Sequence, residues 1–103
     1  MPDSSGDSMP QSPSTQHDAA AQRFTVTADA VDAVLDYRTD GAVMVITHTV
    51  VPSEIGGRGI AGQLVKAAFE HARGQGWQVR PECSYAEAWV KRHPEYLSLL
   101  ANA

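Results

Sequence analysis

The sequence predicts a small α/β fold, an antiparallel meander leading into one β-α-β crossover, with a mixed sheet and a C-terminal helix. Three observations predict it. Three β-prone runs follow one another through short connections before residue 52, the pattern of antiparallel neighbours. The apolar period then changes from strand to helix after Gly59. A further β-prone run, "WQVRPE", follows the helix, so strand, helix and strand form one crossover unit.

Residues 1–22 are rich in serine and proline and almost free of bulky apolar side chains, so they cannot bury enough surface to offset the entropy of ordering. They are expected to be a disordered tail, with the domain at 23–103. "RFTVT" opens the domain as a strand with Phe24 and Val26 on one face. In the second run Val34 and Asp36 alternate against Leu35 and Tyr37, and "RTDG" supplies a turn. The third run, Val43 to Val51, is nearly continuous in Val, Ile, Thr and Met, as in a strand buried on both faces. Pro52 has no amide donor for a central ladder and ends it.

Beyond Gly59, the residues Ile60, Leu64, Val65, Ala68, Phe69 and Ala72 form one helical stripe, while Gln63, Lys66, Glu70 and Arg73 lie off it. Gly74 and Gly76 stop the helix. The strand at Trp77 to Val79 should then run parallel to Met44–Val50. "SYAEAWVKRH" reads as a second helix, with Ser84 as cap and Glu87 three residues on, as in a capping box. "HPEYLSLL" suits a last short helix after Pro94.

The chain's 103 residues and 43% hydrophobic content suit one small domain with a modest core. A formal charge of -4 gives no basic footprint, so no nucleic-acid partner is expected. No run approaches the ~18 apolar residues of a membrane span, and the start has neither a basic n-region nor an apolar h-region. The single cysteine, Cys83, allows no internal disulfide, so the expected location is cytoplasmic.

Function is carried by "PSEIGGRGIAG" at 52–62, four glycines in eleven positions before a helix. Helix N-termini offer unpaired amides and partial positive charge, and glycines let a large anion approach them, so a phosphate-bearing ligand is expected. The phosphate-loop pattern fails because Gln63 and Leu64 stand where Lys and Ser or Thr are needed. The dinucleotide pattern G-x-G-x-x-G is met literally by Gly57, Gly59 and Gly62. Its context is wrong, since antiparallel strands come first and the chain has room for only one crossover.

Loop and element order together resemble the GCN5-related N-acetyltransferase (GNAT) superfamily. Its pyrophosphate loop is written Q/R-x-x-G-x-G/A, and Gly56, Gly59 and Ala61 occupy the written positions. Gly56 departs from the usual Gln or Arg, and Arg58 is available to supply charge in its place. "LDYR", "ITHTVVPSEIGGRGIAGQLVKAAFEHAR" and "VRPECSYAEAWVKRHPEY" further resemble the short, single-domain YjdJ-type subfamily, in which an HTxVP strand and a PxCSY segment flank the loop and helix.

The resemblance implies acetyl-CoA as co-substrate and a primary amine, on a small molecule or a protein, as acceptor. It places the amides of Gly57, Arg58, Gly59, Ile60 and Ala61, beside Gly56, at the cofactor pyrophosphate. Val50 and Val51 would lend backbone groups to the pantetheine arm, their side chains lying in the core. His48 is either the general base or a packed strand residue, and Cys83 either accepts the acetyl group or lines the site. Tyr85 and Tyr96 are both candidates to protonate the leaving thiolate. Lys91, Arg92 and His93 form a basic cluster suited to the 3′-phosphate or to a solvated face. The histidines show no ligand spacing, so no metal is expected. A CoA-binding sensor or complex subunit without catalysis is the alternative reading.

Overall fold

The computed structural model describes residues 14–101. Five strands form one sheet in chain order: β1 (Thr15–Asp18), β2 (Arg23–Ala28), β3 (Val31–Asp40), β4 (Val43–Val50) and β5 (Gln78–Pro81). β1 to β4 are antiparallel and β5 joins β4 in parallel. Helix α1 (Ile60–Gln75) makes the crossover, and α2 (Ser84–Lys91) leads to a 3-10 segment at Pro94–Leu99. The predicted meander and single crossover are both present.

One face of the sheet carries the core. Phe24, Val26, Leu35, Tyr37, Met44 and Ile46 pack with the α1 stripe of Ile60, Leu64, Val65, Ala68, Phe69 and Ala72 and with Ala86, Trp89 and Val90 of α2. Burying each large apolar side chain contributes about 1.5–3 kcal/mol. On the opposite face, Val45 is buried and lies in register between Arg38 and Arg80, and the Arg38–Glu82 ion pair (3.7 Å) spans β4 there.

The expectation of a tail through residue 22 is corrected, because Thr15–Asp18 pairs with Val26–Arg23 as an edge strand. Its anchor is an imidazole rather than an apolar run. The His17 ring stacks on Phe24 (centroids 4.2 Å, 5°), meets His71 edge-on at 4.4 Å, and its Nε2 lies 2.6 Å from the Tyr37 hydroxyl. The rest of the tail assignment, residues 1–13, lies outside the described residues.

β4 changes character along its length. Tyr37 faces Ile46 while Asp36 faces His48, so Thr47 is a bulge residue, with its hydroxyl donating to the Asp36 carbonyl (3.1 Å). Met44 and Ile46 point into the helix-covered core. Past the bulge Thr49 is opposite core residue Leu35, which turns His48 and Val50 to the uncovered face. Val50 is therefore 55% exposed, a correction to its expected core placement, while Val51 packs against the core. Burial on both faces holds only for Met44, Val45 and Ile46.

Pairing between β4 and β5 ends at Ile46 and Pro81. Beyond it the amides of Glu82 and Cys83 both donate to the Ile46 carbonyl (3.0 and 3.1 Å), and the chain turns into α2. The two parallel strands thus diverge beside Cys83. At the other end of α1, Gly76 (φ 75°) donates to the Ala72 and Arg73 carbonyls and Trp77 to Ala72, so Gly76, rather than Gly74, stops the helix.

Candidate active site

Pro52 leads into a 3-10 turn, Ser53–Ile55, whose buried Ile55 pins the start of the loop to the core. Gly56 is extended (φ -69°, ψ 159°), a conformation open to any residue. Gly57 and Gly59 have φ of 78° and 75°, and an added Cβ at either would meet nothing within 4 Å. Backbone conformation, not crowding, asks for glycine at these two positions. Gly59 is the N-cap of α1, and no side chain caps the helix and no acid occupies its first turn. The first amides and the positive end of the dipole are therefore left for an anion.

Beside this terminus lies a groove of about 410 Å³ lined by Arg58, Gly59, Gly62, Gln63, Lys66, Trp89 and His93. Trp89 forms its floor, only 4% exposed and packed on Phe69 (5.6 Å) and Tyr96 (5.3 Å). The His93 ring stacks on Trp89 at 3.9 Å and 14°, with Nδ1 2.8 Å from the Trp89 carbonyl oxygen. A Cβ at Gly62 would lie 3.2 Å from Trp89 Nε1, so this glycine lets α2 approach α1 closely.

The predicted residues do not all come together. Arg58, Gly59 and His93 line the groove, and Gly57, Ile60 and Ala61 adjoin it in sequence, with the Ile60 side chain buried. Tyr85 belongs here too, since its hydroxyl lies 3.6 Å from a Cβ built on Gly62. Lys91 instead pairs with Glu87 (3.8 Å), and Arg92 does not line the groove.

Tyr96 lies elsewhere. Its hydroxyl donates to the Glu70 carboxylate and the Arg73 guanidinium covers its ring at 5.1 Å, about three turns along α1 from Gly59. That hydrogen bond, with burial and the carboxylate's charge, holds the phenol above its usual pKa.

Cys83 sits at the divergence of β4 and β5. It is the N-cap of α2, one residue earlier than the cap read from sequence at Ser84. Its Sγ donates to Thr49 Oγ1 at 3.4 Å, and when the thiol ionises the same hydroxyl turns to donate to the sulfur. Burial pushes the thiol pKa up, but the Thr49 hydroxyl and backbone hydrogen bonds at Ala86, Tyr85 and Thr49 outweigh it and leave the thiol below its ordinary value. His48 is exposed on the other face of β4, opposite Asp36, so Cys83 and His48 are on opposite sides of the sheet.

Residues 23–99 match the family model described as GCN5-related N-acetyl-transferase. The chain belongs to this family. Among its relatives, the protein NATD1 of Homo sapiens is 36% identical over 90 residues, 82% of this chain and 80% of that protein. NATD1 of Xenopus tropicalis is 36% identical over 101 residues, covering 91% and 93%. The NMR solution structure of a GCN5-like protein from Staphylococcus aureus superposes with a TM-score of 0.70 at 26% identity, covering 91% of this chain and 93% of that one. The mixed sheet with its helices is the GCN5-like N-acetyltransferase fold.

Sequence reading passed over Thr49, Lys66 and Trp89. Lys66 was legible as an off-stripe cation one turn past the loop. Thr49 and Trp89 gave no signal, because their roles depend on the β4 bulge and on the approach of α2 to α1.

Proposed function

We propose that this GNAT domain, of the short YjdJ-like type, transfers the acetyl group of acetyl-CoA to a primary amine. One observation carries the reading: an uncapped helix N-terminus framed by two left-handed glycines opens beside a groove with Arg58, Lys66 and His93 on its wall. Such a cradle suits a pyrophosphate carrying further phosphate. The amides from Gly57 to Ala61 hold that anion, beside Gly56. The backbone of Val50 and Val51, past the last β5 pairing, holds the pantetheine arm and the carbonyl oxygen.

When bound, acetyl-CoA supplies an activated thioester. His48, exposed on the uncovered face, takes the proton of an ammonium entering from that side, and the amine attacks directly through the opening where β4 and β5 have ceased to pair. Tyr85, against the first turn of α1, gives a proton to the departing thiolate. Cys83 lines the acyl position.

A two-step route through Cys83 is the second reading, favoured by its lowered pKa and its place at the strand divergence. Its thiolate sulfur bonds the acyl carbon as the CoA sulfur leaves with a proton, and the amine then takes the acetyl group from Cys83. CoA release over a panel of amines, with wild type, His48→Ala and Cys83→Ala, tests the proposal. Transfer is expected, with a loss of about 10²-fold or more in His48→Ala. Transfer surviving both substitutions at the normal rate would overturn the residue roles, and CoA binding without transfer to any amine would favour a sensor or complex subunit.

A further inference from the structure

We infer that Asp29 is a positioning residue for cofactor binding, holding the Arg58 guanidinium at the mouth of the groove from the tip of the β2–β3 hairpin. The inference rests on the acetyl-CoA reading above. Arg58 Nη2 lies 2.7 Å from Asp29 Oδ2, with the two side chains 48% and 68% exposed. Arg58 lines the groove and Asp29 does not, so of the pair only the cationic residue belongs to the groove wall.

Two unusual stretches of backbone meet in this contact. Arg58 stands between Gly57 and Gly59, both at positive φ. Asp29 stands in a two-residue turn closed by the Ala28–Val31 pair, and both turn residues have positive φ (51° and 62°). An exposed ion pair adds little to folding stability, so its effect is on orientation. A guanidinium has five N–H donors, and one nitrogen anchored on Asp29 leaves others to meet phosphate oxygens. Anchoring a long side chain before the ligand arrives lowers the ordering cost of binding. This matters most here because Gly56 brings no side chain to the loop, leaving Arg58 as its cation.

The test is calorimetric CoA affinity for wild type, Asp29→Asn, Arg58→Gln and the double variant. Asn tolerates positive φ as well as Asp does, so Asp29→Asn keeps the turn, and equal melting temperatures verify it. Asp29→Asn is expected to weaken CoA binding about threefold to tenfold, the range that ordering one long side chain carries. In the Arg58→Gln background the same change is expected to have no further effect. Wild-type affinity in Asp29→Asn, or an equal loss with and without Arg58, would overturn the inference while leaving the acetyl-CoA reading intact. A wild-type protein that does not bind CoA would overturn both.

Discussion

The Sγ of Cys83 lies 3.4 Å from Thr49 Oγ1, joining the N-terminus of α2 to the part of β4 that has lost its parallel partner. The contact exists because the Thr47 bulge turns Thr49 toward the helices. It gives Cys83 a hydroxyl partner in addition to the backbone groups at the start of α2, and together these outweigh the effect of burial on the thiol.

Removing that hydroxyl should raise the thiol pKa. In Thr49→Val the rate of Cys83 alkylation by iodoacetamide is expected to fall at pH 7, its pH profile shifting upward, with Thr49→Ser recovering the original profile. A profile unchanged by Thr49→Val would remove Thr49 from the account.

Gly56 is the one loop glycine in an ordinary extended conformation, and a Cβ there would meet the Ser53 carbonyl oxygen at 3.5 Å and the Pro52 oxygen and Ser53 Cα at 3.8 Å, all ordinary contacts. Gly56→Arg should therefore fold normally and add a cation to the loop. Its acetyl-CoA affinity is expected to rise severalfold at low salt and less at high salt, since exposed charges are screened. Unchanged affinity at low salt would mean that position 56 does not face the anion.

Ala30 holds φ 62° without glycine's freedom. The left-handed region costs a non-glycine residue about 1–2 kcal/mol, part of which Ala30→Gly returns against its extra chain entropy. A rise in melting temperature of about 2–6 °C is expected, at roughly 4–8 °C per kcal/mol for a domain this small. A fall would show that the turn is not strained.

His17 ties β1 to the sheet and to α1, and its pKa is lowered, first by burial and then by the nearby His71, against a smaller opposing effect of Asp18. The unfolded chain takes up this proton near pH 6.5, while the folded chain resists until lower pH. Stability from this group is thus constant above about pH 7 and declines as pH falls below about 6.5 through the lowered folded value. Urea midpoints should drop between pH 7.5 and 5.5 more in wild type than in His17→Phe, which keeps the stack on Phe24 and cannot titrate. Equal drops would place the pH sensitivity elsewhere.

Much of the fold was legible because it rests on periodicity. The α1 stripe from Ile60 to Ala72 is the buried stripe observed, and Pro52 and Gly76 end elements where their backbone chemistry requires. β1 was not legible, since a four-residue edge strand held by one imidazole leaves no apolar pattern. The face of His48 and Val50 was also hidden, because one bulge residue inverts every side chain after it. The loop glycines were legible in the sequence, and the left-handed backbone of Gly57 and Gly59 is the reason for two of them, whereas Thr49 and Trp89 take up their positions only where separate elements meet.

The central claim is that the glycines at the N-terminus of α1 receive the pyrophosphate of acetyl-CoA. A thermal-shift titration with acetyl-CoA, CoA and NAD tests it most directly, since a ligand at 100 times its Kd stabilises the fold by about 2.7 kcal/mol. A rise of about 11–22 °C is expected with acetyl-CoA and with CoA, little with NAD, and a much reduced rise in Gly59→Ala. No rise with either CoA species at millimolar concentration would contradict it, leaving the glycines a purely architectural role.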